Sequence, residues 1–160
     1  MIGLVFGKSL VFLKNAHIAS KSEVMMNYDP ELIYQQIVDC SQDAILFADR
    51  DGMIQLWNKG AEGIFGYTAK EARGQSLDFI IPEKLRERHW EGYRSVMETG
   101  KSRYGQELLS VPALHKDGRR ISVEFTIIII RDRQDKMMGA AAIIRDVTKR
   151  RQDEKPLKNG

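Results

Sequence analysis

His89 is the residue of this sequence with the most chemistry to offer. It lies in PEKLRERHWEGYRSVMETG, residues 82–100, where Leu85, His89, Tyr93, Val96 and Met97 fall on one side at helical spacing and Arg86, Glu87, Arg94 and Ser95 on the other. An imidazole turned inward on an apolar helix face is either a hydrogen-bonded core residue or a ligand for something bound in the core. The other titratable candidates carry less. Glu107 reads as a rim charge or salt-bridge partner, His115 precedes Lys116-Asp117-Gly118 in a turn and reads as solvated, and His17 has no functional weight. Trp57 and Trp90 read as packing residues, Trp90 on the flank of its helix. Cys40 is alone, which rules out an intramolecular disulfide and a cysteine zinc site and suits a reducing cytoplasm. No nucleophile stands at a plausible spacing from a base, and there is no phosphate loop or metal-ligand cluster. The sequence therefore argues against an enzyme. A small enzyme using Glu107 or His89 as a base would lack its second catalytic group.

The elements that must position His89 are marked along the chain. Pro82 suits the first helical position and Gly100 the position just past the end, so one helix should fill the interval. Upstream, Leu32, Ile33, Ile37 and Val38 predict an amphipathic helix over Pro30 to Cys40. Asp43 to Asp49 and Met53 to Trp57 read as a hairpin around Arg50-Asp51-Gly52. Asn58 caps a short helix with Ala61, Ile64 and Phe65 on its buried side and Gly66 at its end, and Thr68 with Glu71 forms a capping box over Thr68 to Arg73. Leu77, Phe79, Ile80 and Ile81 lead into the His89 helix. After it come three extended segments, Glu107 to Leu114, Arg119 to Asp132 and Met137 to Asp146, joined by tight linkers. In the second, Ile121, Val123, Phe125, Ile127 and Ile129 alternate with Ser122, Glu124 and Thr126 until Ile128 and Ile130 break the pattern. The apolar end of that second face needs a cover, either the Pro30 to Cys40 helix or a second subunit. Pro112 cannot donate to a ladder, which places the first of the three strands at an edge.

At 160 residues and a formal charge of +3, the chain has the size of one domain with tails. The divisions expected are a 1–28 extension, a 29–149 domain and a 150–160 tail. The densest basic cluster, Lys149, Arg150 and Arg151, reads as a solvated helix face and makes no nucleic-acid footprint. Lys8 and Lys14 interrupt the apolar start of the chain, so it does not form a membrane span, and it lacks the basic region of a secretory signal; Met25 or Met26 are alternative starts.

With this order of elements in place, the motifs WNKGAEGIFGYTAKEARGQ, Asp117-Gly118 before a strand, and Ile144-Arg145-Asp146-Val147-Thr148 resemble a PAS domain, from about Leu32 to Lys149. The resemblance implies an α+β fold: a five-stranded antiparallel sheet in the order 2-1-5-4-3, with helices on one face enclosing a small-molecule pocket or a plain apolar core. Within the family, the segment Arg88-His89 with Tyr93 one turn later resembles the haem-binding PAS domains of oxygen-sensing kinases and related phosphodiesterases. That likeness implies His89 as the axial ligand of haem iron, with Tyr93 beside it, Leu109, Phe125 and Ile127 on the distal wall, and Arg103 at a haem propionate. The chain departs from those relatives at two places. Leu109 stands where the kinases keep a basic distal residue, and Glu107 where the phosphodiesterases supply a methionine ligand. The reactive cysteine of the flavin photosensors has no counterpart between Gly74 and Ile81. The stretch after Asp146 is short, with Pro156 and Gly160 in it, so the expectation is a stand-alone cytoplasmic sensory module. It should form a homodimer through the Pro30 to Cys40 helix and the sheet face at Ile128 and Ile130, and pass its signal to a separate signalling protein. The alternative is a ligand-free interaction module whose pocket is filled by its own side chains, with which nothing would co-purify.

Overall fold

The computed structural model describes residues 28–101 and 107–154. The readings made for residues 1–27 and for Arg103 lie outside them. The chain divides after Ile33 into two compact units. Of the first, the described part is the start of helix α1 (Pro30–Cys40), where the Asp29 carboxylate accepts from the amides of Glu31 at 3.0 Å and Leu32 at 3.3 Å.

The second unit is built on one antiparallel sheet. Its strands are β1 (Ala44–Asp49), β2 (Ile54–Trp57), β3 (Leu109–Leu114), β4 (Arg120–Arg131) and β5 (Met137–Asp146), in the order β2-β1-β5-β4-β3. Between β2 and β3 run the short helices α2 (Lys59–Phe65) and α3 (Ala69–Ala72), a 3-10 turn (Leu77–Ile80) and the long helix α4 (Glu83–Thr99); helix α5 (Thr148–Asp153) comes after β5. The expected sheet order and α+β class are what the chain adopts, and β3, with Pro112, is an edge strand.

Register fixes what each face presents, because neighbouring residues of a strand point to opposite sides. Leu109 pairs with Phe125 and Phe125 with Ile144, while Ile127 pairs with Ala142 and Ala142 with Leu46. These rows form the inner face. Ala44, Leu46, Ile54, Trp57, Ile121, Val123 and Ile144 are buried there against Ala61, Phe65, Ala72, Leu77 and Ile80 of the helical layer. Trp57 anchors the layer. Its ring centroid lies 5.3 Å from that of Phe65 and its indole N–H donates to the carbonyl of Tyr67 at 3.0 Å.

The caps read from the sequence are present. The Thr68 hydroxyl accepts from the amide of Glu71 at 3.3 Å, and the Glu71 carboxylate accepts from the amide of Thr68 at 2.9 Å. Asn58 does more than cap α2. Buried to 3% exposure, its side-chain oxygen accepts from the amides of Ala61 at 2.9 Å and Ile45 at 2.8 Å, and its amide group donates to the carbonyls of Val38 at 2.8 Å and Asp43 at 3.1 Å. One side chain thus holds the end of α1, the start of β1 and the start of α2.

Three local readings need correction and a fourth is sharpened. Pro82 is the N-cap of α4 and not its first helical residue; its ψ of 133° is extended, and its carbonyl accepts from the amide of Leu85 at 2.8 Å. β3 starts at Leu109, which leaves Glu107 exposed outside the ladder. His115 is not solvated: its side chain is 15% exposed, its Nδ1 lies 3.0 Å from the Asp117 carboxylate, and its ring fills the space a side chain at Gly66 would need. Arg150 and Arg151 are exposed, as a solvated face requires, but they are paired. Arg150 pairs with Glu124 at 2.6 Å, and Arg151 bonds to Ser110 and lies 3.8 Å from the same Glu124. Both partners belong to the outer face, so α5 is pinned to that face at β3 and β4. The apolar end of the outer face keeps Ile128 at 45%, Met138 at 46% and Ile143 at 38% exposure, and on α1 Tyr34 and Ile37 are exposed as well. The Tyr34–Cys40 part of α1 therefore does not supply the cover that Ile128 calls for.

Candidate functional site

Helix α4 carries His89 in its middle, and each end of the helix is fixed. Gly100 adopts φ +68 and its amide closes the helix on Val96 at 2.8 Å, while the Arg131 guanidinium donates to the Gly100 carbonyl at 3.4 Å. At the start, the Arg86 Nε donates to the carbonyl of Ile81 at 3.1 Å. Leu85, Tyr93 and Val96 are half-buried and Met97 is buried, so the apolar side read from the spacing faces the protein.

His89 is half-buried between two aromatic rings. Trp90 meets it edge-on, with centroids 4.9 Å apart and planes at 77°, and Tyr93 lies 5.8 Å away at 33°. Both neighbours are tethered. The Trp90 indole N–H donates to Asp78 Oδ1 at 2.8 Å, and the Tyr93 hydroxyl donates to the carbonyls of Asp49 at 2.5 Å and Ala48 at 3.1 Å. Burial pushes the Tyr93 phenol up to about 12, so it stays a neutral donor. Burial also lowers the His89 pKa, against a weaker opposing pull from the Asp78 carboxylate, and the imidazole is neutral at pH 7. Its Nδ1 is sealed from solvent and has no hydrogen-bond partner among the described residues. That is unusual for a buried ring nitrogen, since such groups are nearly always paired.

The sheet supplies an apolar wall. Leu109, Phe125 and Ile127 share the inner face through the Leu109–Phe125 rung and the two-residue step along β4. None of the three is fully buried, in contrast to Ile121 and Val123 on the same face. An open concavity runs along Thr126 to Ile129, and Ile127 and Ile129 are its inner-face members. Among the described residues no three of His, Cys, Asp and Glu converge as metal ligands, and no helix is long and apolar enough to cross a membrane. Chemically, the arrangement presents one neutral imidazole, two tethered aromatic neighbours and a partly open hydrocarbon wall. Such a set can hold a ligand, and it lacks the paired acid and base of a hydrolytic or proton-transfer site.

The sequence reading missed Asp78 and the inward placement of Trp90. The signal for Asp78 was there to find: it is the lone charge in the apolar run Leu77 to Ile81, twelve residues before Trp90.

An antiparallel sheet in the order 2-1-5-4-3, with short helices and one long helix packed on its inner face, is the architecture of small sensory modules. The model of the PAS fold family matches residues 38–152, and the chain belongs to that family. It is similar to Sensor protein FixL of Bradyrhizobium diazoefficiens, with 38% identity over 55 residues, 34% of this chain and 11% of that protein. It is also similar to Oxygen sensor protein DosP of Escherichia coli, with 32% identity over 84 residues, 52% of this chain and 10% of that protein. Among solved structures it resembles the PAS domain of a protein from Colwellia psychrerythraea, with a TM-score of 0.67, 30% identity, and coverage of 76% of this chain and 99% of that one. The chain is thus a PAS sensory domain of the kind found in signalling proteins, a module that is generally non-enzymatic. It spans about a tenth of the length of the two curated relatives.

Proposed function

We propose that this domain senses a small ligand through His89, and that the ligand is haem. The observation that carries the reading is the buried Nδ1 of a neutral imidazole, unpartnered among the described residues, on a helix whose Trp90 and Tyr93 pack against a core that leaves Leu109, Phe125 and Ile127 of the inner sheet face only half-buried. A buried polar atom without a partner costs about 1–3 kcal/mol, which a bound group that engages or reorients the ring would relieve. The residues present fit haem: a neutral imidazole is the form that ligates iron, and the inner-face side chains proposed for the far wall are branched or aromatic hydrocarbon that would exclude water. When bound, haem supplies an iron centre that takes up diatomic gases and electrons. In this chain His89 would hold it, Tyr93 would pack beside the ligating ring, and Leu109, Phe125 and Ile127 would keep the far side dry. Arg103, outside the described residues, is the partner the family resemblance offers for a propionate. With Leu109 in place of a basic residue, the described side chains of the far wall offer no hydrogen-bond donor, so the gas selectivity of the oxygen-sensing kinases does not transfer to this chain.

The test is a titration of the purified chain with hemin, followed in the Soret region. A stoichiometric band that is lost in His89→Ala supports the reading. No band, or one indifferent to His89, rejects it in favour of a ligand-free interaction module. The domain forms a homodimer through α1 and the apolar end of the outer face, where Tyr34, Ile37, Ile128 and Ile143 stand exposed. Light scattering at high concentration checks the dimer; a monomer there, or a dimer unchanged by Ile128→Glu, counts against it.

A further inference from the structure

We infer that Asp78 is the positioning residue for His89, acting through Trp90. The inference deepens the proposed role of His89 and rests on it. A ligating or ligand-recognising imidazole is ordinarily oriented by a hydrogen bond from its second nitrogen to a carboxylate or carbonyl. His89 has no such bond among the described residues. Its orientation comes instead from the two rings that bracket it, and of these Tyr93 is tied to the carbonyls of Ala48 and Asp49 on the rigid strand β1. Trp90 hangs on one hydrogen bond, 2.8 Å from its indole N–H to Asp78 Oδ1.

The Asp78 carboxylate has no task in its own turn. The 3-10 segment is capped by the Ser76 hydroxyl and closed by the Ile81 amide on the Asp78 carbonyl at 3.2 Å, both independent of the carboxylate. What the carboxylate meets is Trp90 and, at 4.0 Å, the Arg86 guanidinium. The far edge of the indole is held by shape: a Cβ placed on Gly52 would collide with Trp90 Cη2. The indole is therefore pinned at both ends, by Asp78 at its N–H and by the bare backbone of Gly52 at its six-membered ring, and its face fixes the edge-on angle to His89. Among the described residues, the charged groups that bear on the bracket are Asp78 from the turn, Arg86 from α4, and, on the Tyr93 side, Asp49 at the end of β1 and Asp51 in the turn after it.

The experiment uses the full chain without ligand, in wild type, Asp78→Ala, Asp78→Asn and Trp90→Phe. NMR reads the indole N–H shift, the nuclear Overhauser contacts between the His89 and residue-90 rings, and the His89 titration midpoint; a hemin titration then reads affinity. Asp78→Ala and Trp90→Phe should both disperse the ring contacts and weaken hemin binding by about tenfold or more. Asp78→Asn keeps an acceptor oxygen for the indole, so it should restore the contacts and the affinity to near wild type while moving the His89 midpoint down, because a negative charge is gone. Preserved ring contacts in Asp78→Ala, or no rescue by Asp78→Asn, overturn the inference. If Asp78→Ala fails to fold, Trp90→Phe and Asp78→Asn still decide it. Wild type that binds no hemin rejects the haem reading alone, since the ring contacts of the ligand-free chain judge Asp78 independently.

Discussion

Replacing Asn58 by alanine should remove about 3 kcal/mol of stability. The figure is built from four contacts of a side chain that is 3% exposed. Losing the acceptor at the start of α2 costs about 1 kcal/mol, the usual value for a cap. The Ile45 amide, which bonded to the same oxygen at 2.8 Å, is left without that partner, and the carbonyls of Val38 and Asp43 lose their donor. Stranded polar groups cost about 1–3 kcal/mol each when fully sealed. Val38, Asp43 and Ile45 are only half-buried, so water repairs part of the loss and about 2 kcal/mol is a fair sum for the three. For a chain of this size the total of ~3 kcal/mol corresponds to a Tm lowered by ~6–12 °C. Urea denaturation followed by tryptophan fluorescence measures it, with an unchanged m-value as the sign that the unfolded state is not involved. The companion Asn58→Asp keeps the capping oxygen but sets a second oxygen against two carbonyls, and should still lose ~2 kcal/mol at neutral pH. A loss below ~1 kcal/mol in Asn58→Ala, or an Asn58→Asp as stable as wild type, would refute the idea that this residue bolts α1, β1 and α2 together.

Gly52→Ala should cost ~2–4 kcal/mol, since it asks an alanine to hold φ +77 and drives a methyl into Trp90; a Tm drop under ~2 °C would count against that packing. Burial lowers the His89 pKa, so the unfolded chain takes up a proton that the folded one resists; stability is full above the ordinary histidine value near pH 6.5 and falls as the pH drops from there, a slope that His89→Asn should flatten in urea melts at pH 7 and pH 5. The salt-bridged or amide-bonded carboxylates Asp43, Glu62, Glu71 and Asp117 are held below their ordinary values, Glu71 at about 2, and add their own loss only below about pH 4.5, leaving the histidine window separable. Glu124→Gln should change global stability by less than ~1 kcal/mol, because its arginine partners are about half exposed, yet speed hydrogen exchange in α5 several-fold relative to β5; equal exchange in the two proteins would mean that the ion pairs do not hold the helix.

The fold was legible because its signals are local. Alternation in β4, the turn glycines, the Thr68–Glu71 box and the Asn58 cap each need about a dozen residues of context at most, and Pro112 marked the edge strand by what its nitrogen cannot do. In the candidate site the helical spacing that put His89 and Tyr93 inward and the alternation that put Phe125 and Ile127 on one face were legible, but the tethers around His89 were not. The surroundings of His89 are set by contacts between distant residues: Trp90 with Asp78 and Gly52, and Tyr93 with a carbonyl 44 positions away. The arginines of α5 stay exposed as read, but their pairing was illegible for the same reason, since Glu124 and Ser110 lie 26 and 41 residues back. His115 failed likewise: a turn position suggests water, but Gly66 leaves room for a ring to settle.

Pro112 has a second consequence, as a guard against misassembly. β3, like β2 at the other edge, pairs on one side alone, which leaves it freer to slide than a central strand. In the native register Pro112 faces Ser122, whose amide donates to the Thr148 hydroxyl and whose carbonyl accepts from Val147, so Ser122 asks nothing of the proline nitrogen. A slip of one residue rolls the strand over. Leu109 would leave the hydrocarbon wall and Ser110 would enter it, while Arg151 would lose its hydroxyl. The same roll would turn Pro112 toward β4 at a rung that needs a hydrogen, and proline has none to give. The residue that contributes no bond to the sheet is thereby the one that makes the wrong sheet costly, and it keeps the ligand wall and the helix anchor on their proper sides.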